Sequence, residues 1–338
     1  MEYPVPQLIE TNNDTEELEL INNEHNSPVI ATSSPKPFIE ANTEQTTLEE
    51  IWNKHIVPVF VKDNEPCISH ADFIEATYEI TSSLFSGEAI LRPNVRVSHP
   101  IKGRVPDARY KAAIDLQEHE KTLYYERMAF VIEVPSISAS VGGNQLSLTI
   151  GGVKAYNLDN MYARKGADEQ FKMFIGFQNK VCTNLCVWSD GYLGDLKVKN
   201  LDQLKGAIHS LIKGYNENFH LFHLKTLTEH SLTEQQFANL IGRIRMYSHL
   251  PVDERKGITP LLLGDTQIGA VVKDFYRDDS FCKDSRGNIN LWRLYNLFTG
   301  TNKSSYIDTF LDRSVNSFLF VEQLKNALEN QKSNWYLN

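Results

Sequence analysis

Between residues 123 and 134 the side chains alternate so regularly that few backbone geometries accommodate them. Tyr124, Met128, Phe130, Ile132 and Val134 fall on one side; Leu123, Tyr125, Arg127, Ala129, Val131 and Glu133 fall on the other. A period of two is the repeat of a pleated strand, whose successive Cβ atoms point to opposite faces. The same period runs through Val95, Val97 and His99, set against Arg96 and Ser98, and through Leu146, Leu148 and Ile150. Gly142-Gly143-Asn144 lies between the run ending at Val134 and the run through Leu146, Leu148 and Ile150, which predicts an antiparallel hairpin. Gly151-Gly152 marks a bulge or a place where another group comes close to the backbone.

A further strand is expected at Phe171, Met173, Ile175 and Phe177. Phe174 makes it apolar on both faces and so central in a sheet. It leads into VCTNLCVWSDGY (residues 181–192), where Asn179, Lys180, Thr183, Asn184 and Asp190 bring polar groups to an apolar stretch. A polar turn there is a place for a site.

After residue 200 the period lengthens. Leu204, Ile208, Leu211, Tyr215, Phe219 and Phe222 step by three or four, predicting one long amphipathic helix from about Asn200. Thr233 with Gln236 forms a capping box ahead of Phe237, Leu240, Ile241 and Ile244. Further helices are expected at Ile268 to Phe275, at Leu291 to Phe298 with a stop at Gly300, and through Ile307, Phe310, Leu311, Val315, Phe318 and Leu324. Before the strands, Thr46 with Glu49 and Ser69 with Asp72 predict two short helices, the second ending at Gly87. Strands first and helices mostly afterwards give an α+β fold, not βαβ units. The expectation is a central, mainly antiparallel β-sheet with a helical C-terminal half and a disordered N-terminal tail.

Charge supports that division. Residues 1–45 hold nine acidic side chains against one basic, Lys36, and so nearly all of the formal net charge of −9. That stretch is polar and poor in aromatics, so it buries too little surface to offset the entropy of ordering. We therefore expect a disordered acidic tail over 1–45 and a single α+β domain over 46–338, β-rich over 88–199 and helical over 200–338. No apolar run approaches the roughly 18–20 residues of a membrane span. The N-terminus lacks the basic start and apolar core of a secretion signal, so a cytoplasmic protein with no membrane partner is expected.

Three constellations carry candidate chemistry. Residues 92–111 hold Arg92, Arg96, Lys102, Arg104, Arg109 and Lys111 against the single acid Asp107, a composition suited to phosphates. The plainer reading is a charged strand edge that discourages pairing. Tyr124, Tyr125 and Arg127 combine aromatic faces with a cation, as single-strand binders do; packing is the plainer reading. Trp292, Arg293, Asn296, Thr299, Asn302 and Lys303 lie in the helical half, where two readings stand: polar groups beside a tryptophan complete a site, or they line the exposed face of a packed helix. Arg96, Lys102, Arg104, Tyr124, Tyr125, Arg127, Lys154 and Asn184 are the candidate phosphate or nucleic-acid ligands.

The familiar enzyme signatures are missing. The glycine pairs lack the Lys-Ser/Thr of a phosphate loop, and there is no Gly-x-Ser-x-Gly elbow, His-Glu-x-x-His or paired-thiol redox motif. Cys67, Cys182, Cys186 and Cys282 fit reduced thiols. Cys182 and Cys186 have no second close pair, so neither a metal nor a cofactor is expected.

The segments VRVSHPIKGRVPDA, EKTLYYERMAFVIEVPSI, LTIGGVKAYN, FIGFQNKVCTNLCVWSDGY, LIGRIRMY and NLWRLYNLFTGTNKSSYIDTFLDR resemble the family of domain of unknown function 3871. The VCTN element and the W-x-L-Y-N helix are also remotely similar to a wider phage and plasmid family of unassigned function. The resemblance implies a mobile-element protein, of prophages and conjugative elements, and carries over no catalytic residues. Two functions are weighed: a non-enzymatic nucleic-acid-binding or accessory protein using residues 92–127, and an enzyme acting on a nucleotide or phosphorylated small molecule in a cleft beside residues 177–188. A protein-interaction factor acting through the acidic tail is a third.

Overall fold

The computed structural model describes residues 36–55, 57–58, 67–160 and 168–337. Its main sheet takes its strands in chain order: β1 (Glu44–Thr46), β2 (Val57–Pro58), β3 (Asn94–Arg104), β4 (Lys121–Val141), β5 (Asn144–Ala155), β6 (Glu169–Asn179), β7 (Leu185–Cys186) and β8 (Tyr192–Val198). The long strands lie side by side as β3-β4-β5-β6, antiparallel throughout. At one margin β1 and β2 share the outer edge of β3; at the other β7 and β8 share β6. Helices α1 (Leu48–Lys54), α2 (His70–Leu84) and α3 (Tyr156–Asn160) interrupt the strands. The helical half follows: α4 (Leu201–Gly214), α5 (Glu217–Thr226), α6 (Glu234–Tyr247), α7 (Asp265–Arg277), α8 (Leu291–Asn302) and α9 (Ile307–Glu329), with a small ribbon of β9 (Ser231–Leu232) and β10 (Ile289–Asn290). The α+β architecture is the one the two periodicities predict.

The alternation in β4 sorts its residues as expected. Tyr124, Met128, Phe130, Ile132 and Val134 are all buried on one face, while Ala129 and Val131 are buried on the other. Gly142 and Gly143, both at positive φ, turn the chain back into β5. Gly151 and Gly152 serve close approach and not a bulge, because the register runs unbroken past them. A Cβ on Gly151 would lie 2.8 Å from the Phe174 ring, and one on Gly152 would overlap the ring of Phe73.

That space is how α2 seats on the sheet. Ser69 accepts from Asp72 N and Asp72 answers the Ser69 backbone, the predicted capping box. Phe73 then drops onto the glycine, edge-on to Phe130 at 5.0 Å and Phe171 at 4.9 Å. Burying one such ring contributes roughly 1.5–3 kcal/mol. The opposite face is covered by Ile307, Phe310 and Leu311 of α9 together with Phe38 and Ile39.

Four sequence expectations shift. The tail is expected to run to residue 45; residues 1–35 lie outside the described residues, while within 36–46 Phe38, Ile39 and Thr46 are buried, the first two in the cluster with α9. The first helix is capped by Thr47, not Thr46, which lies in β1 and bonds the Glu50 side chain at 3.1 Å. The single helix expected from Asn200 breaks at Tyr215: its backbone is extended, and Asn216 caps a new helix by accepting from Phe219 N. Phe219 and Phe222 consequently stand exposed instead of continuing the buried stripe. Finally, α8 runs past Gly300 to Asn302.

Candidate functional site

The polar turn after β6 is held shut by the helical half. Asn179 Oδ1 accepts from Val181 N at 3.0 Å, and Thr183 takes a left-handed conformation at φ 57°. Asn184, 2 % exposed, donates to the Asn296 carbonyl at 3.0 Å. The Lys303 ammonium donates to the Cys182 carbonyl and to Thr183 Oγ1, the latter at 2.8 Å. Burial holds the Lys303 pKa below the ordinary lysine value. Trp292 Nε1 donates to Asn144 at 2.9 Å, Asn296 and Thr299 bond back to their own helix, and Asn302 bonds Phe310 O and Ser314. The structure thus joins two stretches that the sequence marks separately, the VCTN turn and the W-x-L-Y-N helix. Most of their polar groups are engaged within the chain, though Asn179 Nδ2 has no partner among the described residues, and the Asn184–Asn296 and Lys303–Thr183 bonds make this a joint between sheet and helices.

A second polar cluster sits where α2 begins. Lys154, fully buried on β5, pairs with Asp159 and Glu169, each at 2.8 Å, and its ammonium lies 4.1 Å from the Phe171 ring centroid. Tyr124, also fully buried, donates to the Tyr156 hydroxyl at 3.0 Å and stacks on His70 at 4.8 Å. His70 Nε2 donates to Tyr125 O at 2.8 Å, and its Nδ1 has no hydrogen-bond partner among the described residues. Cys67 lies 3.4 Å from the Tyr156 hydroxyl, and Glu169 accepts from Ile68 N at 2.8 Å. Burial pushes the Cys67 thiol up to about 12, helped by Glu169, and pushes His70 down to about 3. Both tyrosines are raised by the same desolvation. Every shift favours the neutral form, so the thiol is not an activated nucleophile.

The remaining candidates are dispersed. Arg96 donates to Thr43 O at 2.7 Å, with its pKa lowered by burial. Arg104 is 2 % exposed and donates to the Lys111 carbonyl. Arg127 pairs with Asp308 at 3.2 Å and lies 5.6 Å from the Tyr306 ring. Tyr125 is half-buried, edge-on to His55 at 5.0 Å. Lys102 alone among the eight is exposed. Base stacking by Tyr124 is closed off by its burial, and Arg96, Lys154 and Asn184 belong to three separate networks.

The break between α4 and α5, which the apolar spacing of residues 204–222 does not reveal, opens a pocket of about 500 Å³. Its floor is Leu148 and Ile175 of the sheet with Phe85 and Ile212, and its rim is Gly214, Tyr215 and residues 216–218. Behind the rim, Tyr215 and His220 share a hydrogen bond of 2.5 Å, and His220 Nε2 is buried without a partner among the described residues. Burial pushes His220 down to about 3 and raises the Tyr215 hydroxyl. Phe177 and Trp188 flank His220 at 5.6 and 5.8 Å, so the pocket adjoins the stretch where a cleft was expected. The readable signal was Lys213-Gly214-Tyr215-Asn216, a helix end followed by a capping residue.

Residues 21–337 match the family model described as "Domain of unknown function, B. Theta Gene description (DUF3871)". The chain belongs to that family. No curated protein and no solved structure matches it. Among the described residues no helix is long and apolar enough to cross a membrane.

Proposed function

We propose that the chain is a small-molecule-binding protein whose ligand enters the pocket at the α4–α5 break. The observation that carries this is an apolar floor made from sheet residues beneath a polar rim, within the ~300–1,000 Å³ of small-ligand sites. No lysine or arginine is among the described residues lining it, and Glu217 supplies a negative charge, while the carbonyl end of α4 and the amide end of α5 offset each other at the rim. That favours an apolar body with a neutral or cationic head over a phosphorylated molecule. On a mobile element, the setting the resemblance implies, such a protein would serve as an accessory factor responding to a small molecule. Nucleic-acid binding is the less favoured reading, since most candidate cations are engaged within the chain.

Gly214 provides the test. It lines the pocket, and a Cβ placed on it meets nothing within 4 Å, so Gly214→Leu adds bulk at the rim without disturbing the core. A library of aromatic and aliphatic amines, nucleotides and short single-stranded DNA is to be screened by thermal shift. The expected result is a rise in Tm of several degrees with an amine, abolished by Gly214→Leu. A response confined to nucleotides or DNA, one that persists in the variant, or no response at all overturns the proposal.

A further inference from the structure

A second cavity, of about 330 Å³, lies far along the chain from that pocket, between the loop at 257–259, the last turns of α9 and the turn at 332–336. Its chemistry is different. Gln323 and Asn326 share a face of α9, and Asn330, the residue that caps its C-terminus, follows four positions on with its amide donating to Asn326 O at 2.9 Å. All three line the cavity, with Thr259, Lys332 and Trp335 across from them.

Side-chain amides carry a donor and an acceptor together, whereas a carboxylate only accepts and an ammonium only donates. A row of amides therefore matches a ligand whose own groups both donate and accept, which is the chemistry of vicinal hydroxyls. An indole supplies the complementary apolar surface for the C–H face of a sugar ring. Trp335 is fixed in place: the Arg243 guanidinium lies over its ring, 5.0 Å from the centroid, and Tyr336 packs edge-on at 4.9 Å. Gln323 is also oriented in advance, donating to Thr259 Oγ1 at 2.7 Å, and Tyr336 ties the loop down by donating to Thr259 O at 2.8 Å. The Asn326 side chain is exposed and makes no hydrogen bond to another described residue. It is the amide left over for a ligand.

We infer that this cavity is a binding site for a sugar, a single pyranose ring being the size it admits at the low end of small-ligand volumes. Lys332, which makes no ion pair among the described residues, stands at the margin and extends the site to sugars bearing an acidic group. The site does not depend on the pocket at the α4–α5 break.

The experiment is a glycan array probed with the full chain, followed by saturation-transfer NMR with glucose, galactose, N-acetylglucosamine and glucuronate. Binding to at least one of these probes is expected. Asn326→Ala should weaken it about tenfold, the loss of one well-placed hydrogen-bonding amide, with Tm unchanged. Trp335→Ala should remove it, and Gly214→Leu should leave it intact. Absence of any sugar binding by the wild-type chain overturns the inference, and so does binding that Asn326→Ala leaves at full strength. Because Asn326 supports nothing else in the fold, its variant reports on the site even if Trp335→Ala is too unstable to study.

Discussion

Lys154 and Lys303 are both buried, yet their surroundings could hardly differ more. Lys154 meets two carboxylates, Asp159 and Glu169. Lys303 meets a carbonyl and a hydroxyl, and among the described residues no carboxylate pairs with it. The first region is a charge-matched cluster, in which each member is costly once its partners are gone. The second is a joint of neutral acceptors that would tolerate an uncharged amine, and there burial is the main cause that drives the pKa down, with Lys36 adding to it and Glu40 opposing it. Burial by itself therefore says little about what a lysine does; its acceptors decide.

The largest effect should come from Lys154→Met, which leaves two carboxylates facing each other without a cation. A loss of about 3–5 kcal/mol is expected in chemical denaturation, the range for breaking a buried pair. Adding Glu169→Gln should recover part of it. If Lys154→Met costs no more than a surface change, the contrast between the two regions collapses.

The acid limb of stability comes next. His70 is held near 3 by burial, against an unfolded value near 6.5. Between those values the unfolded chain binds the extra proton, so stability is full above about pH 6.5 and falls as the pH drops. By pH 5 the loss is about 2 kcal/mol for this histidine. Lys154, Tyr124, Tyr156 and His55 surround it, and none of them offers a proton-accepting charge to stabilise the imidazolium. His70→Phe should remove one proton from the slope of ΔG against pH. His220, depressed by the same cause, keeps the rest of the acid slope in place. An unchanged slope would mean that His70 is not neutral in the fold.

Lys303→Met should have the smallest effect, about 1–2 kcal/mol, because it leaves only the Cys182 carbonyl and the Thr183 hydroxyl without a donor. It should also remove a pH dependence. With its folded pKa below the unfolded value, Lys303 makes the wild type gain stability as the pH rises toward 10.5, and the variant should lack that gain. A cost equal to that of Lys154→Met would show an unseen charge partner in the joint.

These regions also show what a sequence can reveal. The strands were legible because alternation at Tyr124 to Val134 is a local property, and so were the capping boxes at Ser69 and Thr233. Gly151-Gly152 announced a close approach, although Phe73 could not be named as the intruder. The break at Tyr215 was hidden because Phe219 and Phe222 keep the apolar spacing while standing in solvent. Lys154 looked like a phosphate ligand because its partners, Asp159 and Glu169, lie beyond the strand that carries it. Asn184 and Asn296 are more than a hundred positions apart, and no periodicity connects such residues.

The segment from Pro37 to Thr46 has a consequence for the order in which the molecule can be made. Pro37 O accepts from Thr183, the amides of Glu40 and Ala41 donate to Lys303 O, Phe38 packs against Phe310 at 6.3 Å, and Glu44–Thr46 then closes the edge of β3. These are among the first described residues to leave the ribosome, and their anchors are among the last. Until Lys303 and Phe310 have emerged, the segment has only its contacts with earlier elements, among them the β1 pairing and the Arg96–Thr43 bonds on β3, to hold it. The nascent chain therefore lacks the late anchors of this edge through most of its synthesis, while Pro100 and Lys102, in the stretch of β3 that β1 and β2 do not cover, discourage pairing with another chain.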